Sequence, residues 1–165
     1  MGLLDKLLNR KETKEAGSCI YSPLIGRVVP LSDVNDPVFA EEMMGKGAAV
    51  IPTKGKVFSP CDGEILTVFR TLHAITMKAD NGAEIIIHVG LETVGLDGKY
   101  FEAHVEDGAK IKKGELLLTF DLDEIKSAGY DVITPVVVTN SADYEQVEKT
   151  NKKEVSNKDL LISLA

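Results

Sequence analysis

From Cys19 onward the apolar residues arrive in short runs separated by turn-forming dipeptides, not at helical spacing. In "KVFSPCDGEILTVF" the punctuation is Ser59-Pro60 and Asp62-Gly63, and in "KADNGAEIIIHVG" it is Asn81-Gly82. In "HVEDGAKIKKGELLLTF" it is Asp107-Gly108 and Lys113-Gly114. Val-, Ile- and Leu-rich runs between such turns predict an all-β fold, an antiparallel β-sandwich or barrel with one or two short helices. "PVFAEEMMG" (residues 37–45) supports a short helical turn, and "DLDEIKSAG" (residues 121–129) a better helix closed by Gly129. "TPVVVTN" (residues 134–140) and "DLLISLA" (residues 159–165) read as strands, the latter tied into the sheet.

The first 18 residues read differently. "MGLLDKLL" places Leu3, Leu4, Leu7 and Leu8 on one helical stripe, and the polar run "NRKETKEAGS" follows. A helix this short is marginal in water, so residues 3–8 would order only against a membrane surface or a partner. Gly2 suggests an acylation signal, but Lys6 stands where Ser or Thr is required. The expected organisation is a flexible, amphipathic leader at 1–18 and a single β domain at 19–165.

With 165 residues, 44% apolar and 27% charged, the chain suits one soluble globular domain. Its net charge of −7 disfavours nucleic acid and anionic lipid as general partners. Cys19 and Cys61 lie far apart in sequence and in no CxxC pattern, which points to a reducing cytoplasm instead of a disulfide framework.

Two of the three histidines bracket one apolar hairpin, "HAITMKADNGAEIIIH", from His73 to His88. Asn-Gly between apolar runs is a strong hairpin signal. A loop symmetric about Asn81-Gly82 opposes residues whose numbers sum to 163, setting His88 across from Ile75 and His73 across from Gly90. The histidines are then diagonal neighbours, about 7–8 Å apart at the backbone. Thr71, Met77 and Ile86 share their face, while Ala74, Thr76, Ile85, Ile87 and Val89 take the other. A one-residue bulge in the loop would separate the imidazoles.

Such a pair fits three roles: hydrogen-bonded core histidines, part of a metal site, or nucleophilic chemistry in which one imidazole attacks and the other steadies the transferred group. Spacing alone does not choose. No HxH, HExxH or CxxC completes a metal shell, and His104 in "FEAHVEDG" has no second ligand motif beside it.

The wording of the segments is more specific. "KVFSPCDGEILTVF", "TLHAITMKADNGAEIIIHVGLETVGLDGKYFEAHVEDGAKIKKGELLLTFDLDEI" and "TPVVVTN" together closely resemble the glucose-type enzyme IIA (EIIA) of the bacterial phosphoenolpyruvate-dependent sugar phosphotransferase system, over residues 22–140. The most diagnostic part is "EIIIHVGLETV". The resemblance implies that His88 accepts the phosphoryl group, that His73 hydrogen-bonds to it, and that Thr71 supports His73. It also implies a shallow apolar partner surface at Val38, Phe39, Met43, Met44, Phe69 and Val94, with Glu92 where the family usually has an aspartate. His104 matches no catalytic position and reads as structural or surface. The implied partners are the HPr phosphocarrier, the EIIB domain of a sugar permease, and regulatory targets sensitive to phosphorylation. No cofactor is implied beyond a regulatory zinc shared by His73, His88 and a partner's carboxylate.

Two rival readings come from other classes. "HVEDGAKIKKGELLLTF" resembles biotinyl or lipoyl carrier domains, for which Lys78 would be the modified residue, although Met77-Lys78-Ala79 is a poor version of that context. Zinc metallopeptidases of related β-architecture also place two histidines round a metal, but their HxH element is absent.

Overall fold

The computed structural model describes residues 19–165, so the leader expected at 1–18 lies outside the described residues. In chain order the elements begin with β1 (Cys19–Tyr21), β2 (Gly26–Val29), α1 (Pro37–Ala40), β3 (Lys46–Pro52), β4 (Lys56–Phe58), β5 (Gly63–Val68), β6 (Ala74–Ala79) and β7 (Glu84–His88). They continue with β8 (Phe101–Ala103), β9 (Lys110–Ile111), β10 (Leu116–Phe120), α2 (Leu122–Ser127), β11 (Thr134–Val138), β12 (Val147–Lys149), β13 (Glu154–Val155) and β14 (Leu160–Leu164). An eight-stranded sheet runs β13-β2-β3-β11-β7-β6-β5-β9, and two three-stranded sheets run β1-β14-β12 and β4-β10-β8. All the pairings are antiparallel. The fold is the expected all-β sandwich with two short helices.

The central strands are apolar on both faces, which explains why "GAAVI", "EIII" and "PVVV" show no hydrophobic–polar alternation. Ala48 and Val50, Ile85 and Ile87, and Val136 and Val138 point into a main core shared with the two smaller sheets. Their neighbours Ala49, Ile86 and Val137 point the other way, into a second cluster with Val29, Leu31, Val34, Phe39, Leu91 and Ile133. Strands buried on both faces carry continuous apolar runs for this reason.

That second cluster is roofed by a 3-10 turn at Leu31–Asp33 and by α1. Asp36 caps α1 by accepting a hydrogen bond from the Val38 amide (3.0 Å), and Pro37 opens the helix without requiring a donor. Four residues cannot sustain a helix alone. What seats α1 is Phe39, whose side chain is 3% exposed. α2 is the longer of the two predicted helices, capped by Asp121 through the Glu124 amide (3.1 Å).

The β6–β7 hairpin differs from the symmetric expectation. Ala74 pairs with His88, Ile75 with Ile87, Thr76 with Ile86, Met77 with Ile85 and Lys78 with Glu84, so the paired numbers sum to 162, not 163. The loop holds three residues, Asp80-Asn81-Gly82. The Gly82 amide bonds back to the Ala79 carbonyl (2.9 Å), and Gly82 adopts φ +96°. A turn followed by a glycine of positive φ is the usual three-residue hairpin loop. Met77 therefore joins Ile75, Ile85 and Ile87 in the main core, while Thr76 and Ile86 share the face of His88.

Asn140, just beyond β11, ties this turn down from outside the hairpin. Its side chain donates to the Gly82 carbonyl (3.0 Å) and accepts from the Glu84 amide (2.9 Å). Asn140→Ala should lower stability by about 1–2 kcal/mol, read as a reduced urea midpoint with an unchanged slope.

Candidate functional site

The two histidines meet although the hairpin register alone would part them. His88 ends β7, and its ring lies on the face of Ile86 and Phe39. His73 is not in a strand at all. It closes the β5–β6 loop, residues 69–73, in which the Leu72 amide bonds to the Phe69 carbonyl (2.7 Å) and the Phe69 amide to the Ala74 carbonyl (3.0 Å). Leu72 takes φ +62°, a left-handed conformation that a leucine adopts only at a cost of order 1–3 kcal/mol. This break frees His73 from strand alternation. The imidazole centroids stand 4.8 Å apart with planes at 83°.

Each ring is held by its Nδ1. His88 Nδ1–H donates to the Gly90 carbonyl (2.8 Å); a carbonyl can only accept, so the bond fixes the tautomer and leaves Nε2 with its lone pair. His73 Nδ1 lies 2.7 Å from the Thr71 hydroxyl. If the hydroxyl donates, the Nε2 of His73 carries the proton. His88 is half-buried and His73 is 3% exposed, and among the described residues no buried side-chain nitrogen or oxygen lacks a partner.

The rings sit against aromatic neighbours. Phe39 packs on His88 with centroids 5.1 Å apart, and Phe69 meets His73 edge-on at 5.5 Å. Burial consequently keeps both imidazoles neutral. His73 is pushed down to about 4 by desolvation, and secondarily by His88. His88 is lowered by desolvation, opposed by its bond to Gly90 and by the carboxylate of Asp36.

The expected partner-surface residues divide by burial. Val38 (39% exposed), Met43 (69%) and Val94 (55%) stand out as large apolar side chains open to solvent. Phe39 is buried and forms the floor beneath His88, while Met44 and Phe69 are partly buried against the second cluster. Glu92 is exposed at φ +59°, at the start of the 3-10 turn Thr93–Leu96. Leu66, also exposed (42%), lies on β5 at a break in its register with β6 and was not among the expected residues. Asp36 was also missed, although Asp before Pro-Val-Phe is a legible helix-cap signal.

The rival sites find less support. Lys78 lies within β6, paired to Glu64 and Glu84, and not at the turn where a carrier domain presents its lysine. No group of three or more His, Cys, Asp or Glu is arranged to hold a metal among the described residues. His104 is exposed on the small sheet side, its Nε2 2.9 Å from the Thr119 hydroxyl.

The chain is similar to known proteins over most of its length. Residues 18–144 match the family model described as phosphoenolpyruvate-dependent sugar phosphotransferase system, EIIA 1. The glucose-specific EIIA component of Oceanobacillus iheyensis is 42% identical over 93% of each chain. The β-glucoside-specific EIIBCA component of Bacillus subtilis is 48% identical over 88% of this chain, which spans only 24% of that longer protein. Glucose permease IIA from Mycoplasma capricolum superimposes with a TM-score of 0.79 at 31% identity, covering 87% of this chain and 93% of that one. With a family match over most of its length and a relative aligned nearly end to end, the chain belongs to the glucose-type EIIA family of the phosphoenolpyruvate-dependent sugar phosphotransferase system, a family of phosphotransferase components.

Proposed function

We propose that the chain is a phosphohistidine relay: His88 Nε2 takes a phosphoryl group from phosphorylated HPr and passes it to the EIIB domain of a sugar permease. The observation that carries this reading is the pairing of a tautomer-fixed His88 with a second neutral imidazole whose ring lies 4.8 Å away. In acceptance, the Nε2 lone pair attacks phosphorus as the donor's phosphorus–nitrogen bond breaks, and the donor keeps that electron pair. Delivery runs the same step forward, with His88 as leaving group. Such transfers pass through a loose transition state in which positioning and charge stabilisation supply most of the rate.

In this scheme His73 donates Nε2–H to a phosphoryl oxygen, and Thr71 sets that proton by donating its hydroxyl to Nδ1. A neutral donor steadies the group without the strong pairing a lysine or arginine would add. The exposed Val38, Met43 and Val94 form an apolar rim, and flexible Met43 suits a surface that donor and acceptor occupy in turn. Asp36 and Glu92 add negative charge suited to basic groups on those partners. A bound phosphoryl group adds about −1.5 to −2 of charge to this rim, enough to release regulatory targets that bind one state alone. Among the described residues no helix is long and apolar enough to cross a membrane; we place the domain in the cytoplasm, where phosphoenolpyruvate-dependent transfer takes place.

His88→Ala should abolish acid-labile phosphate on reconstitution with phosphoenolpyruvate, the general phosphotransferase enzymes and HPr. Label persisting on that variant would refute the assignment. His73→Gln should still be phosphorylated but deliver onward about 10–100-fold more slowly, the effect of losing a charge-assisted hydrogen bond of about 1.5–3 kcal/mol.

A second expectation concerns pH. Both histidines bind protons less readily in the folded chain than in the unfolded one. Stability present above pH 6.5 should therefore be lost as pH falls toward about 4. Ring-nitrogen NMR should place the His73 midpoint near 4 and the His88 midpoint below 6.5. A midpoint above 6.5 for either ring would contradict the desolvation that holds it neutral.

Rim and floor should also separate. Val94→Asp and Met43→Asp are expected to slow transfer from HPr while leaving the unfolding midpoint within error. Phe39→Ala should cost about 3–5 kcal/mol of stability, since its ring is the anchor of α1.

A further inference from the structure

We propose that Thr93 is a positioning residue for the phosphoryl-accepting imidazole, holding in place the Gly90 carbonyl that fixes the His88 tautomer. The inference rests on the reading of His88 as acceptor, but its geometry stands on its own. Gly90 adopts φ +76°, and a side chain there would strike Thr93 Cγ2 at 2.6 Å and the Asp131 carbonyl oxygen at 2.8 Å. Glycine is therefore required, and glycine is the residue with the most backbone freedom. Something else must remove that freedom if the carbonyl is to meet Nδ1–H at a fixed angle.

Two neighbouring peptide units supply the restraint. The unit joining Gly90 to Leu91 bonds at both ends: its carbonyl accepts from His88, and its N–H donates to the Asp131 carbonyl (2.9 Å). The unit joining Val89 to Gly90 is held through its carbonyl, which accepts the Thr93 hydroxyl at 2.5 Å. Thr93 is fully buried (0% exposed), so water cannot replace that donor. Its methyl group packs against Gly90 as its hydroxyl binds Val89. The Val89 N–H in turn donates to the His73 carbonyl (2.8 Å), so the restraint reaches both histidine loops. The hydroxyl of Thr93 bonds to backbone, and it is through the backbone that it acts.

The test compares Thr93→Val, which keeps the shape and removes the donor, with Thr93→Ser, which keeps the donor. The readouts are the ring-nitrogen shifts of His88 at pH 7.5 and the rate of phosphoryl acceptance from phosphorylated HPr. Wild type and Thr93→Ser should show a single Nδ1–H tautomer and acceptance rates within about twofold of each other. Thr93→Val should show mixed tautomers and acceptance slowed about tenfold. A folded Thr93→Val chain with wild-type ring shifts would overturn the proposal whatever its rate, because a merely structural threonine would alter stability alone. Should Thr93→Val not fold, Thr93→Ala decides by the same shifts. Failure of both to fold would reduce Thr93 to a structural residue and overturn the assignment. A wild-type chain that accepts no phosphoryl group, yet whose His88 tautomer depends on the Thr93 hydroxyl, would sink the relay and leave the positioning role standing.

Discussion

The hydrogen bond from His88 Nδ1–H to the Gly90 carbonyl is the constraint on which the site turns. An imidazole free to exchange tautomers would spend part of its time with no lone pair facing outward. The bond settles which nitrogen carries the proton, and it does so with backbone, which neither titrates nor changes rotamer. Its cost is a chain that must double back within two residues. That requirement explains the positive φ of Gly90, the buried Thr93 beside it and the bracing of Leu91 by the Asp131 carbonyl. It also explains why β7 ends at His88: the ladder stops where the backbone must serve the ring.

A second apolar layer makes the pair neutral. Most small antiparallel sheets leave one face to solvent, but here Ile86, Val137 and Ala49 bury the outer face of the large sheet beneath α1. Phe39 closes that layer and presses on His88. Desolvation lowers the proton affinity of both rings more than the Asp36 carboxylate raises that of His88. The layer thus stabilises the sheet and keeps the His88 imidazole neutral in one structural act. Phe39 is buried in this layer while its neighbour Val38 stays open to solvent, as do Met43 and Val94.

The strained Leu72 belongs to the same logic. Ala74 pairs with His88, so strand alternation at position 73 would turn a histidine away from His88. Placing it in the preceding loop, after a left-handed residue, brings it to the right side while its carbonyl still bonds to the Val89 amide. Strain at such a position persists only where surrounding packing over-determines it, and Leu72 is itself partly buried against the main core.

The β-rich architecture, both helices and the terminal strand were legible in residue order, because turn dipeptides and apolar runs act locally. So was the identity of the two histidines as a pair, and the likeness of "EIIIHVGLETV" to a known family marked His88 before any geometry was known. The hairpin register was not legible. Asp80-Asn81-Gly82 can close as a two- or a three-residue loop, and the choice moved Met77 into the core and Thr76 onto the site face. Nor did sequence distinguish rim from floor among Val38, Phe39 and Met43, since burial depends on what lies across from each residue. Local propensity and composition determined which elements form. Tertiary packing alone decided that a ring from a strand end and a ring from a loop would meet, both neutral, because desolvation and hydrogen bonding depend on neighbours that lie far apart along the chain.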